Sequence, residues 1–347
     1  MTERNYLQLL AEQTPTQFWN DSAEPSDIQA ALANGACGVT TNPILVTRTV
    51  LAHADEWRAT IRSLAPTTAT GDLAHAVTAE VVHRAAGLLL PIYNKTRGEA
   101  GYVCAQGNPL NHGDAAAMVE EAVAFDSLAP NIANKIPVSA AGLEAIEELT
   151  SRGITTTCTT SFTVPQVIAI AEAFQRGLKR RSRVATERPT HCFAVIMAGR
   201  LDDHLRDEVQ AGHGNASEKA ITSAGLAVVK RAYRIFQERG YRSILLIGGM
   251  RGHYHVTELV GGRMVLTIAP AMQTAILEKN YALRRTIDEP LPEELIQEIA
   301  SVPDFRRAFE PDGMQPAEFA GYGAFVKTQG QFIENYQKLQ AFIQASI

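Results

Sequence analysis

Asn131-Ile-Ala-Asn-Lys-Ile-Pro-Val138 runs straight into Ser139-Ala-Ala-Gly-Leu-Glu-Ala-Ile-Glu-Glu-Leu-Thr-Ser151. The first segment is short and apolar, as a buried strand is. The second opens on a serine N-cap and stops before Gly153, as a helix does. The same strand-then-helix unit recurs along the chain. Further β-prone runs lie at 18–21, 38–41, 102–106, 154–160, 192–197, 243–247 and 264–268, with helical patterns such as Val164 to Phe174 between them. About eight strands, joined by crossovers long enough to link parallel neighbours, lead us to expect an α/β protein built as a (β/α)8 TIM barrel. A doubly wound sheet also fits this pattern.

Barrels tolerate long insertions, and no Pro/Gly/Ser-rich linker breaks the alternation, so residues 1–347 are expected to form a single domain. Residues 285–347 read as a helical extension packed on the barrel. There Glu289 to Phe309 interrupts the rhythm with Glu-Pro-Leu-Pro-Glu-Glu, and an amphipathic pattern follows from Gln315 to Ile347, broken near Gly321 and Gly323.

Bulk properties narrow the function. With 32 basic and 37 acidic residues the net charge is −5, which offers no electrostatic reason to expect nucleic acid or an anionic membrane as partner. Hydrophobic residues make up 46% of the chain, yet stretches such as Ala85-Ala-Gly-Leu-Leu-Leu90 are far shorter than the ~20 residues of a bilayer span. The segment Met1 to Leu10 has one basic residue and no apolar core, so it does not read as a signal peptide, and the cytosol is the expected location. Cys37, Cys104, Cys158 and Cys192 lack CxxC or Cys/His zinc spacing and read as small buried hydrophobes. The basic run Lys179-Arg-Arg-Ser-Arg183 follows a helix, where cations suit the C-terminus, and reads as a solvated turn.

Lys135 is the exceptional residue. No helix face or acidic partner explains a lysine in an apolar strand, apart from one that snorkels to solvent. A desolvated amine loses its charge more easily, and a neutral lysine attacks carbonyl carbon to form a Schiff base. Barrel active sites are built at the C-terminal ends of strands, and several ends here carry polar groups. Asp21 ends the first, Thr40-Thr-Asn-Pro43 the second, Thr157 and Thr159 the fifth; Arg200 follows the sixth and Arg251 the seventh.

Taken together these segments resemble the transaldolase family. The resemblance is carried by Gly38-Val-Thr-Thr-Asn-Pro43, Asn134-Lys-Ile-Pro137 with Gly142 to Leu149, and Gly153-Ile with Thr159 and Phe162-Thr-Val-Pro-Gln-Val-Ile-Ala169. It continues in Gly199-Arg-Leu-Asp202, Arg251 ahead of Glu258-Leu-Val-Gly261, and Leu266-Thr-Ile-Ala-Pro270.

The resemblance implies a Schiff-base enzyme of sugar-phosphate and pentose phosphate metabolism. Such an enzyme cleaves a ketose phosphate and passes a dihydroxyacetone unit to an aldose, without metal or organic cofactor. It assigns Lys135 as the Schiff-base lysine and Asp21 as the acid/base carboxylate. Asp27 is the alternative carboxylate, although capping of the following helix explains it. Glu80, in Thr78-Ala-Glu80-Val, is assigned with Thr159 to hold a catalytic water; its ordinary reading is a solvated helix residue. Asn42 is assigned to substrate hydroxyls, and Arg200 and Arg251 to the terminal phosphate, for which a charged, forked guanidinium is suited.

The chain also departs from the family pattern. Thr157 stands where the family commonly has a second asparagine, Val195 and Gly249 where it has serines, and Met197 where it has an aromatic residue. The machinery is thus expected to persist while recognition of the dihydroxyacetone moiety has changed. The rival readings are a related class I lyase of the fructose 6-phosphate aldolase type or with a different donor, and a non-catalytic sugar-phosphate-binding barrel. A homo-oligomer is left open.

Overall fold

The computed structural model describes residues 4–69, 72–181, 188–279 and 281–347. Eight parallel strands pair in chain order: β1 Gln17–Asn20, β2 Gly38–Val39, β3 Tyr102–Gln106, β4 Ile132–Pro137, β5 Thr156–Thr159, β6 Cys192–Ile196, β7 Ile244–Ile247 and β8 Met264–Ile268. The pairing of β1 with β8, from Gln17 opposite Val265 to Asn20 opposite Ile268, closes the sheet. Closure excludes the doubly wound alternative and makes the fold a (β/α)8 barrel.

Helix α1 (Tyr6–Gln13) precedes the barrel. Around it run α2 (Pro25–Ala33), α3 (Pro43–Ala52), α4 (Ala54–Leu64), α5 (Leu73–Lys95), α6 (Ala115–Asp126), α7 (Ala140–Ser151), α8 (Val164–Arg180), α9 (Ala198–Gln210), α10 (Glu218–Glu238), α11 (Tyr254–Thr257) and α12 (Pro270–Leu277). Several of them start at side chains that accept from otherwise unpaired N–H groups: Asn42 from Leu45, Ser139 from Gly142 and Thr163 from Gln166. Helix α8 buries Val167, Ile170, Ala171 and Phe174, the i, i+3, i+4, i+7 stripe of an outer barrel helix. It runs on to Arg180, past the expected end at Phe174. Of the basic run, Lys179 and Arg180 form its last turn and Arg180 pairs with Glu147 and Glu148; Ser182 and Arg183 lie outside the described residues.

Strand β2 is half its expected length, for a reason that matters to the site. Beyond Val39 the hydroxyls bond across the barrel: Thr40 reaches Asp21 and Thr267, and Thr41 donates to the Cys104 carbonyl at 2.7 Å. The chain then turns into α3. Below this level the interior is closed by aromatic rings, with Trp19 packed edge-on against Phe193 at 4.8 Å and Tyr102 5.8 Å from Phe193. Gly38 is required here, because a Cβ would sit 2.3 Å from the Trp19 ring. The barrel is therefore apolar and plugged toward the strand N-termini and polar toward their C-termini.

After the barrel come α13 (Glu293–Ile299), α14 (Pro303–Phe309), a 3-10 turn over Pro316–Gly321 and α15 (Gly323–Gln344). Helices α13 and α14 pack on α10, and α15 packs on α3, α5, α9 and the Pro109–Asn111 turn. Two bonds fix α15 over the strand C-termini: Thr47 donates to the Asn335 carbonyl at 2.9 Å, and Gln329 donates to the Pro109 carbonyl. Among the described residues no helix is long and apolar enough to cross a membrane. Cys104, Cys158 and Cys192 are buried thiols.

Candidate active site

A pocket of about 140 Å³ opens at the C-terminal face of the barrel, lined by Asp21, Asn42, Lys135, Thr159, Arg200 and Arg251 together with Thr40, Thr267 and several apolar side chains. Six of the eight expected site residues thus meet in one cavity. Asp27 does not, since it lies in the first turn of α2 and accepts from Ser22 at 2.6 Å.

Lys135 projects inward from the middle of β4, enclosed by protein around its amine. Burial pushes its pKa down, the neighbouring Cys104 and Asp21 work against that, and Arg200 adds to it; the net direction is down. A lowered pKa raises the fraction of nucleophilic amine near neutrality. Cys104, expected to be inert packing, thus lies close enough to affect the lysine.

Asp21 leaves the end of β1 with its N–H bonded to the Ile268 carbonyl at 3.1 Å. The Thr40 hydroxyl donates to its Oδ1 at 2.6 Å and stands 2.6 Å from the Thr267 hydroxyl. Thr40 has one proton to give, so Thr267 donates to Thr40 and Thr40 to Asp21. This relay, from the residue after β2 and from β8, fixes the orientation of the carboxylate that follows β1. Asn42 uses its side-chain oxygen to cap α3, accepting from Leu45 at 3.0 Å, and keeps its amide N–H groups to offer a ligand.

The two arginines come from separate elements. Arg200 lies in the first turn of α9 and Arg251 in the loop after β7. Gly199 lets them approach, because a Cβ there would lie 2.5 Å from the Gly249 carbonyl oxygen and 2.9 Å from the Arg251 nitrogen. Arg251 is paired with Asp203 at 2.8 Å and also donates to the Gly249 carbonyl at 3.0 Å. Beneath it, fully buried His255 accepts from the Arg251 N–H at 3.3 Å through Nδ1, and its Nε2 lies 3.2 Å from Asp202. Arg200 has no such carboxylate: among the described residues no acid lies within ion-pair distance of it, and its guanidinium donates to Gln331 at 2.5 Å.

Two expected residues lie elsewhere. Glu80 is on α5, on the outside of the barrel, where it pairs with Arg84 at 2.8 Å; Arg84 also pairs with Glu56 at 2.5 Å and covers the Trp57 ring. An outer helix cannot direct that carboxylate into the barrel mouth, and the assignment of Glu80 to the site is corrected accordingly. Thr157 sits opposite Lys135 in the ladder but below the pocket, its hydroxyl 3.4 Å from the Cys104 sulfur.

Gln106 is a polar residue near Lys135 that the sequence reading did not single out, and with Lys135 it lines a small cavity adjoining the loop after β3. It ends β3, is the register partner of Lys135, and shares by strand alternation the inner face with Cys104. Both atoms of its buried amide lack a hydrogen-bond partner. A buried amide with neither atom paired is unusual and sets Gln106 apart from the packed residues of β3. The loop after Gln106 is held by Glu121, which accepts from the Asn108 N–H at 3.1 Å and from Asn111 at 3.1 Å; burial pushes its carboxyl up to about 7. Away from the pocket, His204, Glu208 and Asp304 cluster with the ligand spacing of a metal site, but Asp304 already bonds His204 at 2.8 Å and Arg307 at 3.1 Å.

An amine of lowered pKa, an oriented carboxylate and an uncompensated guanidinium in one barrel mouth suit carbonyl chemistry on an anionic substrate. The comparisons agree on the class. Residues 18–311 match the family model described as transaldolase/fructose-6-phosphate aldolase, and the chain belongs to that family. It is 28% identical over 344 residues to the transaldolase of Thiobacillus denitrificans, a match covering 89% of this chain and 90% of that protein. With a Neisseria meningitidis serogroup C transaldolase it shares 26% over 313 residues, covering 81% and 86% of the two chains. A transaldolase of Streptomyces avermitilis is 30% identical over 206 residues, which is 58% of this chain and 54% of that one. Family and relatives make this an enzyme of transaldolase type.

Proposed function

We propose that the enzyme transfers a three-carbon dihydroxyacetone unit between sugar phosphates through a Schiff base on Lys135, with Asp21 as the proton carrier. The amine attacks the C2 carbonyl of a ketose phosphate and the carbinolamine loses water to give an iminium. Asp21 removes the C4 hydroxyl proton, the C3–C4 electrons move into the iminium to form an enamine, and the aldose phosphate leaves. Addition of the enamine to a second aldehyde, with Asp21 returning the proton, reverses the steps. The iminium is the electron sink, so the chemistry calls on no metal or organic cofactor. On this reading Thr159 and Gln106 hold the water that enters and leaves, Asn42 binds substrate hydroxyls, and Arg200 and Arg251 bind the phosphate. This reading treats residues 1–347 as one unit in which the extension from 285 completes the barrel mouth, and places it among the cytosolic reactions of sugar phosphates.

The observation that carries this reading is the desolvated Lys135 amine in a pocket shared with an Asp21 oriented by two threonines. Incubation with fructose 6-phosphate and borohydride is expected to fix a ketose-derived mass on the Lys135 peptide, and Lys135→Met to abolish it. An adduct on another lysine, or none with any ketose phosphate, rejects the mechanism. The apolar lining at Val195 and Met197 and the neutral amide of Gln106 favour a second reading, in which a less hydroxylated donor is used or the three-carbon ketone is released to water. Free ketone appearing in step with aldehyde, with no acceptor present, distinguishes release from transfer.

A further inference from the structure

Arg200 is a half-buried cation whose side-chain hydrogen-bond partners are neutral. Its Nη1 donates to Gln331 at 2.5 Å and approaches the Thr328 hydroxyl at 3.5 Å, and its guanidinium lies 5.8 Å from the centre of the Phe332 ring. All three partners are on α15, more than a hundred residues away in sequence. The contrast with Arg251, matched by Asp203 at 2.8 Å, is one of charge: an amide oxygen orients a guanidinium without neutralising it, whereas a carboxylate does both. Asp21 and Asp203 act on Arg200 only from beyond ion-pair distance, so the guanidinium is oriented by neutral groups and keeps much of its attraction for an incoming anion.

We propose that Gln331, assisted by Thr328, is a positioning residue that holds the Arg200 guanidinium for the substrate's phosphate, which makes the C-terminal helix α15 part of the phosphate subsite. This rests on the sugar-phosphate reading above. Helix α15 is fixed well enough for the task, since it is bonded to α3 through Thr47 and to the loop after β3 through Gln329. The register of one helix across the barrel mouth thereby sets where the phosphate binds relative to Lys135. Gln331 touches no reacting atom; it acts through Arg200.

The test is the selectivity between a phosphorylated and an unphosphorylated ketose. In Gln331→Glu the new carboxylate neutralises Arg200, and KM for fructose 6-phosphate is expected to rise about tenfold or more with a smaller change in kcat, while inorganic phosphate weakens as a competitive inhibitor by a similar factor. Gln331→Met, which keeps the side-chain length and removes the acceptor, is expected to give a rise of a few fold, and it serves as the comparison should the glutamate variant not fold. Preference for the phosphorylated donor should fall in both. An unchanged preference, with kcat/KM lowered equally for both donors, would mean that Gln331 only supports the fold. Borohydride trapping on the wild-type enzyme separates the two levels of argument: no adduct at Lys135 removes the sugar-phosphate reading itself, whereas an adduct with unshifted selectivity removes only the role of Gln331.

Discussion

Lys135 and Arg200 share one pocket, Lys135 rising from a strand of the barrel wall and Arg200 from the first turn of a helix, and burial pushes the pKa of both downward. The outcome differs because of where each group starts. An ammonium needs only a moderate shift to become a nucleophile near neutrality, whereas a guanidinium stays charged under any such shift. The same desolvation therefore makes one cation reactive and leaves the other a fixed charge in need of an anion. Their surroundings differ in contact more than in reach: Asp21 acts electrostatically on both groups, but Arg200 makes its hydrogen bond to the neutral Gln331 and no acid lies within ion-pair distance of it among the described residues.

The sharpest way to break the chemical half of this comparison is Asp21→Asn. A positioned proton-transfer group contributes typically ~10² to 10⁴ in rate, and kcat is expected to fall by that span. Schiff-base formation precedes the step assigned to Asp21, so the variant should still give the borohydride adduct at Lys135. Loss of the adduct together with activity would place Asp21 in lysine activation instead of carbon–carbon cleavage.

The binding half is tested by the two arginines. Removing Arg200 eliminates an uncompensated charge, worth roughly 1.5–3 kcal/mol in a charge-assisted contact, so Arg200→Ala should raise KM for a phosphorylated donor by about 10- to 150-fold. Arg251 already spends part of its field on Asp203, and its side chain is 42% exposed. Its loss should cost less than about tenfold. If steady-state kinetics show Arg251→Ala to be the more damaging, the uncompensated charge of Arg200 is not what binds phosphate.

What could be read from the chain follows the same division. Lys135, Asp21 and Thr159 are placed by strands, and a polar residue at the end of an apolar run is visible in one dimension. Gln106 obeys the same rule, ending Tyr102-Val-Cys-Ala-Gln106, whereas Glu80 stands out only through its neighbours in the chain. Glu80 then fell on an outer helix, where Arg84 is its partner. Strand positions were legible to within two residues because burial and β-propensity coincide there. The early end of β2 was not, since there the Thr40 hydroxyl donates to Asp21 and accepts from Thr267, partners that only the closed barrel brings near. Gln331 gives no local sign at all. It meets Arg200 across 131 positions, through the packing of α15 over the barrel, and only the assembled fold brings them together.

The smallest expected effect concerns stability and probes Lys135 from the opposite side. Because its pKa in the folded state is lowered, the folded protein gives up this proton at a lower pH than the unfolded chain does. Between the two values the unfolded state binds more protons, so stability rises with pH through that window. Below the lowered value the full cost of holding a buried ammonium remains, and above the ordinary lysine pKa of about 10.4 it vanishes. Lys135→Met fills a similar volume with an uncharged chain and should raise Tm, on the order of a few degrees near pH 6, with the gain shrinking toward pH 10. Thermal unfolding followed across that range checks both the sign and the slope. A Tm gain that does not change with pH would show that methionine merely packs better, and a loss would show that the Lys135 ammonium is well accommodated. Either result would remove the contrast between a lysine held ready to lose its proton and an arginine held to keep its charge.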